Sequence, residues 1–231
     1  MKNERSVKRV RNLEKPDTDM APFVTQQFKQ AKPSYSMTIG KAPKFIWFRV
    51  AKVGTRTTLS TLDKSGASYH LRKGFEFTYD AKASKAYYKF AFVRNPWDRI
   101  VSCWYDKIVR GRKKYSGKMQ IPAFESATGE FEEFVSVLET SDLETCNIHF
   151  RLQTHLIPID DINFLGRFEK FETDLKKVLD HLGTPIEAPL ERKGLHASKR
   201  PYQDYYTDDL RNRIGALYQS DIDAFGYDFE P

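Results

Sequence analysis

Lys52, Val53, Gly54, Thr55, Arg56, Thr57 and Thr58 follow the largely apolar run from Phe45 to Ala51 and open a helical periodicity. These residue types at a strand-to-helix turn suit the capture of a phosphate or sulfate. Backbone N–H groups converge there, the helix N-terminus is electropositive, and Lys52 adds a point charge. The full G-x-x-x-x-G-K-[ST] loop of nucleotide triphosphatases is missing, so an ordinary strand-to-helix connection is the competing reading. A second strand-to-helix constellation runs from Tyr88 to Ser102. Arg94 ends its apolar run, Asn95 suits a helix cap, and Pro96 suits the first helical position, which puts Arg94 beside another N-terminal dipole. Asn95 and Ser102 are close to two helical turns apart and share one stripe. Two anion sites on neighbouring strands suit one ligand with two phosphate-like ends. Alternatively, Arg94 and Asp98 form a local ion pair and Ser102 is a surface hydroxyl.

The elements that must position these groups follow from periodicity. Strands are expected at 44 to 50, 75 to 79, 88 to 93 and 162 to 167, and helices at 55 to 65, 96 to 110, 130 to 139, 169 to 182 and 207 to 219. Alternating strands and helices of this kind imply an α/β fold with a mostly parallel central sheet flanked by helices. In such sheets ligands bind beyond the carboxyl ends of the strands, where Lys52 and Arg94 both fall. Trp97, Ile100, Val101, Trp104 and Ile108 form one helical stripe, and Phe171, Leu175, Val178, Leu179 and Leu182 another. Both stripes read as core. Residues 1 to 43, with Pro16, Pro22, Pro33 and Pro43 among basic and polar residues, read as an N-terminal arm or wrap, and 44 to 231 as a single domain.

The order of these motifs resembles the sulfotransferases that use 3′-phosphoadenosine 5′-phosphosulfate (PAPS), in particular the carbohydrate branch with its chondroitin and heparan enzymes and bacterial relatives. Lys52-Val-Gly-Thr-Arg-Thr57 is similar to that family's 5′-phosphosulfate loop, and Arg94 with Ser102 to its 3′-phosphate pair. Asn147 to Gln153 is similar to the branch's His-Trp-x-x-Gln segment. Leu165 to Leu175 is similar to its Gly-Arg-Phe/Tyr-Glu strand and following helix. The likeness spans about residues 44 to 229 and implies a P-loop-like nucleotide-binding fold. It departs from the family at Ala51, where a proline is usual, and at Arg56, where a hydroxyl residue is usual. The implied reaction is sulfuryl transfer from PAPS to an acceptor hydroxyl on a glycan or other carbohydrate, without a metal, with Lys52 as electrostatic catalyst. His70 is the first candidate for the base, since several relatives hold a catalytic histidine in this interval; His149, His155, His181, His196 and Glu76 are alternatives. His149 and Gln153, read as neighbours on one helical face, are candidate substrate contacts. Arg192, Lys193, Ser198 and Lys199 are further candidate cofactor contacts. The acceptor pocket is expected from loops at 66 to 87, 111 to 130 and 140 to 160.

Composition agrees with this reading. A net charge of +7 favours an anionic ligand, an anionic acceptor or a nucleic acid. A kinase-like, nucleotide-dependent phosphotransferase is less well matched, since neither a lysine-serine P-loop nor magnesium-binding carboxylates are evident; a non-enzymatic nucleic-acid-binding protein would explain the charge but not two cations at two strand ends. With only Cys103 and Cys146, neither a disulfide framework nor a zinc ligand set is visible. The basic segment from Arg110 to Lys118 reads as a solvated loop or as an attractor of an anionic glycan. The sequence shows neither an apolar leader nor a membrane-length apolar run; since Golgi members of the family it resembles usually carry a membrane anchor, the resemblance implies a soluble, bacterial cytoplasmic enzyme. Its oligomeric state is not legible.

Overall fold

The computed structural model describes residues 33–71, 76–110, 129–185 and 200–230. Among these residues the strands are β1 (Ser34–Tyr35), β2 (Met37–Ala42), β3 (Phe45–Phe48), β4 (Ser68–Leu71), β5 (Phe77–Thr78), β6 (Tyr88–Val93) and β7 (Phe164–Arg167). β1 and β5 form a small antiparallel ribbon, and the other five make the central sheet in the order β4-β2-β3-β6-β7. β3, β6 and β7 run parallel, as their apolar sequences imply, and β3 is buried on both faces. β2, however, is antiparallel to both β3 and β4. The sheet is therefore mixed, which corrects the expectation of a mostly parallel one. The tight turn at Pro43 and Lys44 cannot supply the long crossover that a parallel pair requires. The same strand corrects the reading of 34 to 42 as part of an irregular arm, since Met37, Thr38 and Ile39 are core residues of the sheet.

The helices are α1 (Thr55–Lys64), α2 (Pro96–Trp104), α3 (Phe131–Glu139), α4 (Phe171–His181), α5 (Asp208–Leu217) and α6 (Gln219–Phe225). α2 continues into a π-helical turn, Tyr105–Val109. The expected helix 207 to 219 is thus two helices, broken at Tyr218. Both predicted apolar stripes are buried. That of α4 joins the core under the sheet, whereas that of α2 joins a second core with α3 and α5. Asn95 caps α2 as its sequence indicates, its Oδ1 accepting from the Trp97 N–H at 3.1 Å. Among the described residues, no helix is long and apolar enough to cross a membrane.

Candidate functional site

The turn between β3 and α1 is held in a conformation that a lysine adopts only at a cost. Lys52 has φ 72° and Gly54 φ 82°, and the left-handed region costs a non-glycine residue about 1–2 kcal/mol. Three donors hold the turn from the protein side. Thr55 Oγ1 donates to the Val50 carbonyl at 3.2 Å, Arg99 Nε to that of Ala51 at 3.1 Å, and Arg94 Nη1 to that of Lys52 at 3.0 Å. Because C=O and N–H point oppositely across a peptide plane, the N–H groups that follow these carbonyls face away from those donors. α1 begins at Gly54 without a capping side chain. Glycine is required there twice over, since a Cβ would also meet the Phe171 ring at 2.7 Å.

The residues of the expected cradle do not all face the same way. Val53, Thr57 and Thr58 are fully buried, and Thr58 Oγ1 donates back to the Gly54 carbonyl at 3.3 Å. Arg56 is exposed and its charge acts on Asp106. The Lys52 ammonium pairs with Asp106 Oδ2 at 2.9 Å. Burial lowers the proton affinity of Lys52, and Asp106 opposes that shift.

Arg94 combines both sequence readings. Its Nε and Nη2 form a two-pronged pair with Asp98, each at 2.7 Å, while Nη1 holds the Lys52 carbonyl at 3.0 Å. A guanidinium has five N–H donors, so one hydrogen remains on each terminal nitrogen for a ligand. The pair with Asp98 thus orients Arg94 without exhausting it. The guanidinium also lies over the Phe168 ring, 4.1 Å from its centroid. Asp98, Ser102 and Asp106 recur every fourth residue, which places half-buried Ser102 between the carboxylates that hold Arg94 and Lys52.

Gln153 departs from its expected role. It is wholly buried, its Oε1 accepts from the Arg94 N–H at 3.0 Å, and its Nε2 donates to the Arg94 carbonyl at 2.9 Å. The amide copies a neighbouring strand's peptide and fixes the Arg94 backbone, so it does not meet a sugar. Nor do His149 and Gln153 share an α-helical face: 147 to 152 is a turn, and Gln153 begins a short 3-10 helix.

His149 lies close to the cations instead. Arg99, wholly buried, donates through Nε to the carbonyl before Lys52 and through Nη2 to that of Ile148 at 3.2 Å. One guanidinium therefore ties the backbones leading into Lys52 and into His149. Asn147 Oδ1 accepts from the His149 backbone N–H at 3.1 Å and meets Nδ1 at 2.7 Å. An oxygen that accepts from one N–H makes Nδ1 the second donor, which leaves the lone pair on Nε2. Burial, followed by the charges of Lys107, Lys52 and Arg99, pushes His149 down to about 3. The ring is neutral at pH 7.

The remaining candidates are dispersed. His70 belongs to the edge strand β4, opposite Ile39 and two strands from β3. His155 is 4.0 Å from Glu144, His181 stacks on Tyr88 at 3.7 Å, and Glu76 pairs with Arg151 at 2.8 Å. Arg192, Lys193, His196, Ser198 and Lys199 lie outside the described residues, as do 111–128 of the basic and acceptor loops. A cleft lined by Tyr35, Tyr79, Asp80 and Asp161 uses parts of two expected acceptor loops. Asp161 is bonded to Lys89, however, which sets this cleft beside the starts of β6 and β7, away from Lys52 and Arg94.

Sequence reasoning missed Asp106, Asn147 and Glu169 as parts of this site. Glu169 accepts from the Asn95 N–H at 2.7 Å and from the Tyr227 hydroxyl at 3.0 Å, locking the start of α2. It lies within the Leu165 to Leu175 segment already singled out, and Asn147 opens the other. Asp106 had no comparable signal, being 54 residues from Lys52.

Lys52 and Arg94 thus stand just beyond the carboxyl ends of the adjacent parallel strands β3 and β6 of a mixed α/β sheet. Residues 35–228 match the model of the sulfotransferase family, and the chain belongs to that family. It is similar to carbohydrate sulfotransferase 14 of Mus musculus, 28% identical over 157 residues, which cover 62% of this chain and 41% of that protein. It is also similar to carbohydrate sulfotransferase 11 of Mus musculus, 26% identical over 167 residues, covering 62% of this chain and 47% of the other. The human carbohydrate sulfotransferase 14 matches at 28% over 111 residues, 43% of this chain and 30% of its own. The chain thus spans less than half the length of these relatives. No solved structure matches it.

Proposed function

We propose that this protein transfers a sulfuryl group from PAPS to a hydroxyl of a carbohydrate, at a P-loop-like site built around Lys52 and Arg94. The observation that carries this reading is the 3.0 Å bond from Arg94 Nη1 to the Lys52 carbonyl, which couples cations from two strand ends within one site. The spacing suits a donor with one anionic group at each end. When bound, PAPS supplies an activated sulfuryl group on a nucleotide leaving group. The outward N–H groups of 51 to 53 and the exposed Arg56 would receive its 5′ end. The two spare donors of Arg94, with Ser102, would receive the 3′-phosphate. Lys52 would donate to the oxygen that gains charge as sulfur departs, so that positive charge comes from the chain itself without a metal. Arg192, Lys193, Ser198 and Lys199 would add outer contacts.

His149 replaces His70 as the base in this scheme. Its Nε2 lone pair is fixed by Asn147, and its segment is tied to the cradle. A polyanion beside Lys52 would offset the positive field on the imidazole and raise its proton affinity, so the base strengthens when the donor is in place. His149→Ala should lower turnover about a hundredfold or more while leaving adenosine 3′,5′-bisphosphate affinity within about threefold. His70→Ala should stay near wild type, and the opposite pattern would return the base to β4.

The transfer itself is tested by incubating the protein with sulfur-labelled PAPS and chondroitin or heparan chains. The expected result is label in the glycan with matching release of adenosine 3′,5′-bisphosphate. Release without transfer to any carbohydrate hydroxyl, or activity only with adenosine triphosphate, would overturn the reading.

A further inference from the structure

We propose that Asp106 is a positioning residue that keeps Lys52 charged and aimed inside the site. The inference rests on the reading of Lys52 as the cation facing the leaving group. Asp106 sits in the π-helical turn that extends α2, a widened geometry that recurs at functional sites. Its Oδ2 holds the Lys52 ammonium at 2.9 Å, in a pair whose side chains are 14% and 28% exposed, and Oδ1 faces Arg110 at 3.9 Å. The largely buried ammonium is thus tethered by a carboxylate on a second element, while two of its three N–H donors are left over from that bond.

Near pH 7 the other described groups around Lys52 do not serve as its counter-charge. Cys103 faces it from α2, but burial pushes that thiol up to about 11, so it is neutral near pH 7. Lys107 faces it from the π turn and is a like charge. His149 faces it from the 146–151 segment and is neutral, and Arg56 on α1 acts on Asp106 as a further cation. Asp106 is therefore the counter-charge among the described groups facing Lys52. Burial alone pushes the Asp106 carboxyl up, yet Lys52, with Lys107 and Arg56, holds it below its ordinary value. It stays ionised across the working range.

Lys52 acts protonated, and burial already lowers its proton affinity, so its contribution is present at low pH and lost as pH rises through its midpoint. Beside Cys103, which counts only where its thiol ionises, Asp106 opposes that lowering through both its charge and its hydrogen bond, and removing it takes both away. The loss then begins at a lower pH, by about one pH unit or more. A carboxylate that only stabilised the fold would change melting temperature without moving this limb.

The test is nuclear magnetic resonance titration of lysine side chains labelled at Cε in the full chain, with the Lys52 signal assigned from Lys52→Arg. Asp106→Asn should lower the Lys52 midpoint by about one pH unit or more, and Asp106→Glu should restore most of it. The alkaline limb of turnover should move in parallel and disappear from this range in Lys52→Arg/Asp106→Asn. If Asp106→Asn does not fold, titration of the Asp106 carboxyl in wild type and Lys52→Met gives the reciprocal reading, with the midpoint rising when the ammonium is removed. Unchanged midpoints in these comparisons would overturn the proposal. These titrations need no turnover: failure of the wild type to bind adenosine 3′,5′-bisphosphate would refute the sulfotransfer reading and leave the ion pair standing.

Discussion

Lys52→Ala is expected to lower single-turnover sulfuryl transfer by about two to three orders of magnitude, the range seen when one preorganised donor to a developing oxyanion is removed. Its effect on adenosine 3′,5′-bisphosphate binding should be much smaller, about tenfold. The asymmetry arises because charge on the departing oxygen appears mainly in the transition state, and an interaction that strengthens there changes rate more than affinity. The backbone should survive the substitution, since alanine meets much the same φ penalty as lysine and the Ala51 and Lys52 carbonyls keep their arginine donors. The complication is Asp106, which loses its 2.9 Å partner and would repel an incoming anion. Lys52→Ala/Asp106→Asn removes that repulsion. Affinity should recover in the double variant while turnover stays low, and turnover near wild type in either variant would contradict the assignment.

Arg94→Ala is expected to weaken adenosine 3′,5′-bisphosphate by about a hundredfold and adenosine 5′-monophosphate by about threefold or less. The difference corresponds to one charge-assisted pair, which is worth about 1.5–3 kcal/mol. The substitution also frees Asp98 from its two 2.7 Å bonds and exposes the Phe168 ring. Arg94→Lys separates charge from geometry, because lysine keeps the charge but cannot grip Asp98 and the Lys52 carbonyl together while offering two further donors. Its affinity should fall between wild type and Arg94→Ala. Equal losses for the bisphosphate and the monophosphate would mean that Arg94 supports the fold and does not read the 3′ end.

The parts of this site that were legible in the sequence are those written in short-range patterns. The β3 run into Lys52, the β6 run into Arg94 and the Asn95-Pro96 cap all express their physics within a few residues. The helical stripes of α2 and α4 did the same. β2 was not legible because Met37–Ala42 mixes threonine, glycine and lysine between two prolines, and its identity comes from pairing with β3 and β4 across the chain. Gln153 and His149 were misjudged for a related reason. A spacing of four suggested one helical face, but the turn there sends Gln153 into the core against Arg94 and leaves His149 beside Lys52. The Asp106 pairing with Lys52 depends on how α2 packs beside the β3 turn, which no local pattern encodes. The left-handed backbone of Lys52 is equally silent, since lysine carries no preference for it.

Lys52 and Arg94 are proposed to form one site for a nucleotide with anionic groups at both its 3′ and 5′ ends. Calorimetric titration of the protein with adenosine 3′,5′-bisphosphate in chelator-treated buffer tests it most directly, set beside adenosine 5′-monophosphate, magnesium adenosine triphosphate and a short nucleic acid. One-to-one, metal-independent binding of the bisphosphate, clearly tighter than that of the other three, is expected. Preference for the magnesium triphosphate or the nucleic acid, or equal affinity for the bisphosphate and monophosphate, would contradict it.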